Sequence, residues 1–376
     1  VTTASDKPVV LLLGVSTRAM SQSAVAAGYQ VVSLDYFADM DQPGYVEAYS
    51  LARDFHLPLS ISNLLTVASE LLSRVQVVVP CAGMENIQDL LTGSQVRLWG
   101  NDPTAAASVR DFAQLQGIFT GTGVQLPRTL TIGDDQPKEG NWLVKDISHN
   151  GGTGVKRWRP GRRWQSSEII QELIRGELCS AVFLANGRDA KLVGLTRQYA
   201  GIKELGATGF LWCGNAAPLV DTDLAKSLQE AANKLTTAFG LRGWNGIDFI
   251  VRDGVPYLIE VNPRWSGSVE LFERAHGFNA FEMHRLSCEG DLPKRIEVGD
   301  PITWWAKGIL YARKLVTIND PGSWPGGDYA DIPHPGEVIP RRYPICSVFS
   351  KGETLAQSWE GVLNSVSRLE KELYLG

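Results

Sequence analysis

Short apolar runs alternate with helix-length amphipathic segments through the first third of the chain. Val9–Leu13 ends at Gly14, a helical stretch follows to Ala27, and further runs occupy Val31–Asp35 and Val75–Val79. This alternation is the pattern of βαβ units around a parallel sheet, so residues 1–105 are expected to form a small α/β domain. From Pro103 the texture changes. A helix over Ala105–Gln116 leads to short strands at Trp142–Lys145, Gly154–Trp158 and Ile169–Leu173. Strands near Ser180–Leu184 and Lys191–Thr196, a helix from Asp223 to Phe239, and strands at Gly246–Val251 and Pro256–Val261 follow. After Asp291 proline and glycine accumulate, and the run Pro321–Gly327 reads as a loop within a small terminal β-module.

Composition narrows the function classes. The 376 residues correspond to two to three domains at roughly 150 residues each. With 44% hydrophobic and 20% charged residues the chain is a folded globular protein. A net charge of −5 argues against a dedicated nucleic-acid binder, which needs basic surface, but leaves room for local anion pockets. Five scattered cysteines without a CxxC pair point to reduced thiols and a cytoplasmic location. No apolar run approaches the ~20 residues of a membrane span, and Val1 begins no basic-then-apolar signal layout, so neither membrane nor export is expected.

Strand, Gly14, helix and then Asp35 follow the order of a dinucleotide-binding unit. The fingerprint G-x-G-x-x-G is absent, because the chain reads Gly14-Val-Ser-Thr-Arg-Ala19. Gly14 is better explained as a tight strand-to-helix turn.

The most informative segment runs from Gly246 to Arg264. Two apolar strands flank Asp253-Gly254, a hairpin signal. A loop centred on Gly254 pairs Asp248 with Glu260, whereas a two-residue Asp-Gly turn pairs Asp248 with Ile259. In the first register Asp248, Glu260 and Asn262 share a face, and opposed carboxylates make sense with a cation between them. An all-oxygen set suits Mg²⁺ or Mn²⁺; the plainer reading is a solvated hairpin face. Arg264, past Pro263 and ahead of a helix start at Trp265-Ser266-Gly267, suits a phosphoryl group in transfer, or is an ordinary turn arginine.

Two further motifs lie upstream. Lys145 precedes Gly151-Gly152-Thr153-Gly154, a strand and glycine-rich loop that can cover phosphates, although it is no Walker A motif. The run Gln171-Glu172-Leu173-Ile174, followed by Gly176-Glu177, can present backbone groups to an adenine edge and a carboxylate to a ribose; a plain strand end is the alternative.

The order Lys145, glycine-rich loop, Gln171–Glu177 hinge and Asp248…Glu260-Val-Asn262-Pro-Arg264 resembles the ATP-grasp superfamily over about residues 105–290. The resemblance implies an α/β and α+β protein with an ATP-grasp fold, an N-terminal parallel-sheet domain (1–105), a small lobe (106–178), a large lobe (179–290) and a small C-terminal β-module (291–376). It implies ATP between the lobes, Mg²⁺ (or Mn²⁺) on Asp248, Glu260 and Asn262, and catalytic roles for Arg264 and Lys145. Arg110, where many members carry lysine, joins Lys145, Gly151, Gly152, Thr153, Gly154, Gln171, Glu172, Leu173, Ile174 and Glu177 as ATP contacts. Leu178 departs from the common hinge and weakens the ribose role of Glu177.

Members of the superfamily activate a carboxylate as an acyl phosphate for attack by an amine and release ADP and phosphate. The implied partners are ATP and small carboxylate and amine substrates, with a homodimer admissible. Substrate groups are expected from Arg18 and Glu85 at the strand ends of the first domain, from Arg197 in Thr196-Arg197-Gln198, and from Trp265, Ser266 and Gly267. Arg18 and Arg197 have structural ion pairing as their alternative, and Cys81 reads as a small buried thiol. The layout is also similar to tyramine–glutamate ligase-like proteins of one-carbon cofactor synthesis. A nucleotide-binding regulatory or assembly protein with a degenerate site stays open as the alternative, and a nicotinamide oxidoreductase is disfavoured by the missing glycine fingerprint.

Overall fold

The computed structural model describes residues 7–296, 303–324 and 327–375, so Pro325 and Gly326 of the Pro/Gly run lie outside the described residues. Strands β1 (Val10–Leu13), β2 (Val31–Asp35), β3 (Val46–Ser50), β4 (Val77–Pro80) and β5 (Arg97–Leu98) form a parallel sheet in the order β3-β2-β1-β4-β5. Helices α1 (Arg18–Ala26), α2 (Ile61–Leu71) and the short α3 (Gln88–Leu91) complete the domain. Strands β1 and β4 are wholly buried, which explains their uninterrupted apolar runs. The Asp35 carboxylate accepts hydrogen bonds from the Thr17 N–H and hydroxyl and from the Phe37 and Ala38 N–H groups. It is consumed in holding the turns rather than offered to a ribose.

After α4 (Pro103–Ser108) and α5 (Phe112–Phe119), β6 (Thr129–Leu130), β7 (Trp142–Asp146), β8 (Val155–Arg157) and β9 (Glu168–Glu172) make a small antiparallel sheet, order β6-β9-β7-β8. The larger sheet begins with β10 (Glu177–Asn186), β11 (Ala190–Ala200), β12 (Trp212–Leu219), β13 (Arg242–Arg252) and β14 (Val255–Asn262). Helices α6 (Thr222–Phe239), α7 (Gly267–His276) and α8 (Ala280–Cys288) pack on it. One face (Cys179, Ala181, Phe183, Ile247, Phe249) is sealed with α6 residues such as Leu228 and Leu235. The other (Val182, Leu184, Trp244) packs with α7, α8 and the first domain through Phe272, Phe281 and Met20.

The C-terminal strands β15 (Trp304–Tyr311), β17 (Asp328–Ala330) and β19 (Pro344–Gly352) extend that same sheet to eight strands, while β16 (Val316–Thr317) and β18 (Val338–Ile339) form a separate ribbon. The chain then runs into α9 (Leu355–Leu375), a 21-residue helix where only β structure was expected. Trp359 of α9 stacks on Tyr199 at 3.6 Å, and Val362, Val366 and Leu369 fill the core beneath β15. All five cysteines are free; burial pushes the Cys81 thiol up to about 12. Among the described residues no helix is long and apolar enough to cross a membrane.

Candidate active site

The β13–β14 hairpin resolves the two registers by using both. Asp253 (φ +53°) and Gly254 (φ +76°) form a two-residue turn with both residues left-handed, the geometry that suits the twist of a hairpin. Pairs therefore run from Arg252↔Val255 to Phe249↔Leu258, and continued unchanged they would set Asp248 against Ile259. A β-bulge intervenes. The register shifts by one residue between Asp248 and Phe249, leaving Ile259 unpaired, so Asp248 faces Glu260 and Gly246 faces Asn262. The Ile259 carbonyl, out of the ladder, accepts a hydrogen bond from Lys145 Nζ at 3.4 Å.

Burial and the facing Glu260 push the Asp248 carboxyl up to about 7, although Gln198, Arg264 and Asn262 act to lower it. Its oxygens accept from Gln198 Nε2 (2.7 Å) and Asn262 Nδ2 (2.9 Å). Burial lowers the pKa of the half-buried Lys145, against the pull of Glu260 and Asp248. A buried carboxyl raised in this way by a facing carboxylate marks a site under-supplied with positive charge. The donor set fits a hard divalent cation: two carboxylates and an amide oxygen suit Mg²⁺, which draws further oxygens from phosphates and water. Among the described residues no trio of His, Cys, Asp or Glu could hold a metal ion by itself.

Arg264 is held from three sides. Its Nε donates to Glu85 (2.5 Å), Nη1 to the Trp265 carbonyl (3.1 Å) and Nη2 to Asn262 Oδ1 (3.1 Å). A guanidinium has five N–H donors, so two are left for a ligand. Burial raises the Glu85 pKa, but Arg264 and Arg110 outweigh it and hold the carboxylate below its usual range. Arg110 lies 3.8 Å from Glu85, which thus ties both Arg264 and Arg110 to the first domain.

Next to this pair runs a row of buried polar side chains that the sequence pattern does not single out. Ser180 sits opposite both Asp248 and Thr196, Gln198 opposite Asn215, and Asn215 opposite Lys307 on β15. Asn215 Nδ2 donates to Thr196 (2.7 Å) and Ser268 (2.8 Å), and the Ser180 and Thr196 hydroxyls lie 2.8 Å apart. Ser268 is in the first turn of α7, whose N-cap residue Ser266 makes no side-chain cap bond. Period-two alternation could have suggested the row; the cross-strand partners could not be read.

The glycine-rich loop is seated against the large sheet. Gly151 accepts from the Trp212 N–H at 2.9 Å. Gly152 has φ +77° and no room for a side chain, since a Cβ there would lie 1.9 Å from the Phe210 carbonyl oxygen. Thr153 bonds back to Asn150 (2.9 Å), and Gly154 bonds to the Asp146 N–H (3.2 Å). The Trp212 ring in turn covers Gly267, where a Cβ would come within 3.1 Å. In the hinge, Glu172 and Leu173 use their N–H groups on Arg128 and Asn141, and Ile174 is buried.

Six expected contacts are not placed as expected. Arg18 is fully enclosed and spends its fork on Glu270 at 2.5 and 3.1 Å, so it offers no clamp to a substrate carboxylate. Arg197 alternates with Gln198 and therefore points to the opposite face from Asp248, where it pairs with Glu177 at 2.6 Å. The Glu177 carboxylate is thereby engaged by Arg197 rather than held out alone for a ribose. Trp265 is 7% exposed and packs on Trp244 as core. The Gln171 amide is buried against Thr129, and Glu85 serves Arg264 instead of opening to a substrate.

Residues 111–268 match the family model described as the ATP-grasp domain. The protein has the ATP-grasp fold. A protein of Methanocaldococcus jannaschii, itself uncharacterized, is 24% identical over 373 residues, covering 95% of this chain and 90% of its own. A biotin carboxylase of Campylobacter jejuni, in a complex with beta-gamma-ATP, superposes with a TM-score of 0.72 at 14% identity, covering 98% of this chain and 92% of that one. An L-amino acid ligase of Bacillus licheniformis gives 0.68 at 12% identity, over 96% and 98% of the two chains. At these identities the two structures establish a shared ATP-grasp architecture.

Proposed function

We propose that this protein is an ATP- and Mg²⁺-dependent ligase that joins a small carboxylate to an amine through an acyl phosphate, releasing ADP and phosphate. The observation that carries the reading is the bulge-set pair Asp248/Glu260 with Asn262 and the partly unsatisfied Arg264 beside it. Phosphoryl transfer is mostly positioning and charge neutralisation, and these residues supply both without a nucleophilic side chain.

In this reading ATP lies between the small lobe (106–178) and the large lobe (179–290), with its adenine edge at the hinge around Ile174, since the Glu172 and Leu173 N–H groups are spent within the protein. The seated loop Gly151–Gly154 covers the phosphates, with Lys145 and Arg110 adding charge. Asp248, Glu260 and Asn262 would hold Mg²⁺, which neutralises phosphate charge when bound. The two remaining N–H donors of Arg264 steady the phosphoryl group as it moves to the carboxylate. The open start of α7, with Ser268, receives that carboxylate.

The test is ADP release by the full chain against a matrix of carboxylic acids and amines, with product mass spectrometry. A matched pair is expected to stimulate release, and Glu260→Gln to reduce it roughly 100- to 1000-fold. AMP release would exclude acyl-phosphate chemistry. ATP binding without release across the matrix would instead make the protein a nucleotide-binding regulatory or assembly factor.

A further inference from the structure

Trp212 opens β12 and touches separate parts of the molecule with each of its groups. Its backbone N–H donates to the Gly151 carbonyl (2.9 Å), and its own carbonyl accepts from the hydroxyl of the buried Tyr311 on β15 (2.9 Å). The indole Nε1 donates to Asn215 Oδ1 at 2.6 Å. The far edge of the ring, Cη2 and Cζ2, covers Gly267 so closely that a Cβ there would lie 3.1 and 3.6 Å from it. One side chain and its backbone thus meet the glycine-rich loop, the C-terminal strand, the buried polar row and the start of α7.

The indole contact decides which way the Asn215 amide faces. An indole nitrogen only donates, so the amide oxygen must turn to Trp212 and the NH₂ group to Thr196 (2.7 Å) and Ser268 (2.8 Å). Asn215, Thr196 and Ser268 are all buried, where a lost hydrogen bond is not made good by water. Without the indole N–H the amide can turn over and present its oxygen to the first turn of α7. That turn carries the more open groups of the segment, the half-buried Gly267 and, at its N-cap, the half-buried Ser266, whose hydroxyl makes no cap bond. Trp212 therefore sets their position twice, through Asn215 and Ser268 and through its ring on Gly267.

The other end of the chain of contacts is the glycine-rich loop. Gly151 takes the Trp212 N–H, and Gly152 lies flat against the Phe210 carbonyl two residues earlier, so the loop is seated on the very segment that carries the ring. Whatever fixes the loop bears directly on Trp212. We propose that Trp212 is a positioning residue that ties the start of α7 to the seating of the glycine-rich loop, so that nucleotide beneath the loop orders the segment that receives the carboxylate. Such a tie is reciprocal: a carboxylate at α7 tightens nucleotide binding by the same factor. This rests on the ligase reading.

Amide hydrogen exchange of the full chain, read by mass spectrometry with and without Mg²⁺ and the ATP analogue AMP-PNP, tests it. In the wild type the nucleotide is expected to slow exchange in both 150–155 and 266–271. Trp212→Phe keeps the backbone bonds to Gly151 and Tyr311 but loses the indole N–H and the far ring edge. It should leave the slowing in 150–155 intact and cut that in 266–271 roughly fivefold or more. Ser268→Ala removes only the hydroxyl that Asn215 holds, and should weaken the effect in 266–271 in the same direction but less. A merely structural role would speed exchange in 266–271 equally with and without nucleotide, and that result overturns the proposal. So does slowing confined to 150–155 in the wild type. No slowing in 150–155 would sink the ligase reading and the tie together. The full expected pattern without ADP release from any acid and amine pair would sink the ligase reading alone.

Discussion

Arg18 and Arg264 are both gripped by carboxylates distant in sequence, and the grip leaves them in opposite states. Arg18 is completely buried and places four of its five donors on Glu270, Asp331 and Gln22. Arg264 is 12% exposed and keeps two donors unassigned by the protein. The difference separates an arginine that fixes domains from one that can meet a ligand. Donor accounting shows it where residue type and position in the chain do not.

Substituting both arginines breaks the comparison most sharply. Arg18→Ala strands buried carboxylates and should cost about 3–5 kcal/mol, read by urea denaturation. Arg264→Ala should lower ADP release roughly 100-fold or more while moving the unfolding midpoint far less. Equal stability losses in the two variants would erase the distinction.

The two centres should also respond to pH on different arms. Glu270 is lowered, from 4.5 to about 2, so its contribution is present above the unfolded value and lost as pH falls toward 2. Asp248 is raised, from 3.8 to about 7, so its contribution is present below pH 4 and lost as pH rises through 7. Asp248→Asn should flatten the upper arm alone in pH-dependent unfolding. Because a metal must displace the proton, Mg²⁺ or Mn²⁺ affinity should climb as pH approaches 7 in the wild type, and this dependence should weaken in Asp248→Asn.

Smaller effects come from two glycines. Gly152→Ala collides with the Phe210 carbonyl and should unseat the glycine-rich loop; if that loop covers ATP as proposed, the KM for ATP rises with little change in that for the carboxylate. Gly254→Ala has open space around it and meets only the left-handed backbone, a cost of roughly 1 kcal/mol visible in unfolding and not in kinetics.

The order of motifs from Lys145 to Arg264 was legible because each is local: a strand, a turn, a glycine loop. What was not legible depends on partners far along the chain. Arg18 meets Glu270 across 252 positions, and no periodicity reports that. Arg197 and Gln198 differ by one residue, which on a strand means opposite faces, and sequence left the choice open. The row Ser180, Thr196, Asn215 and Ser268 looks like ordinary strand and helix-start composition until the sheet sets its members side by side. Helix α9 was missed for a different reason: Leu355, Trp359, Val362, Val366 and Leu369 recur at helical spacing beneath β15, but the terminal segment was read as β structure throughout.

The unpaired Ile259 gives β14 one residue of slack. Losing a single residue from β14 between the turn and the bulge can be absorbed by closing the bulge, with Glu260 still opposite Asp248. The same loss from the facing part of β13 has no such reserve, because it adds to the existing offset and swings Asp248 toward the α6 side. The two arms of this hairpin therefore differ in how freely their lengths can change, even though both end on the same site.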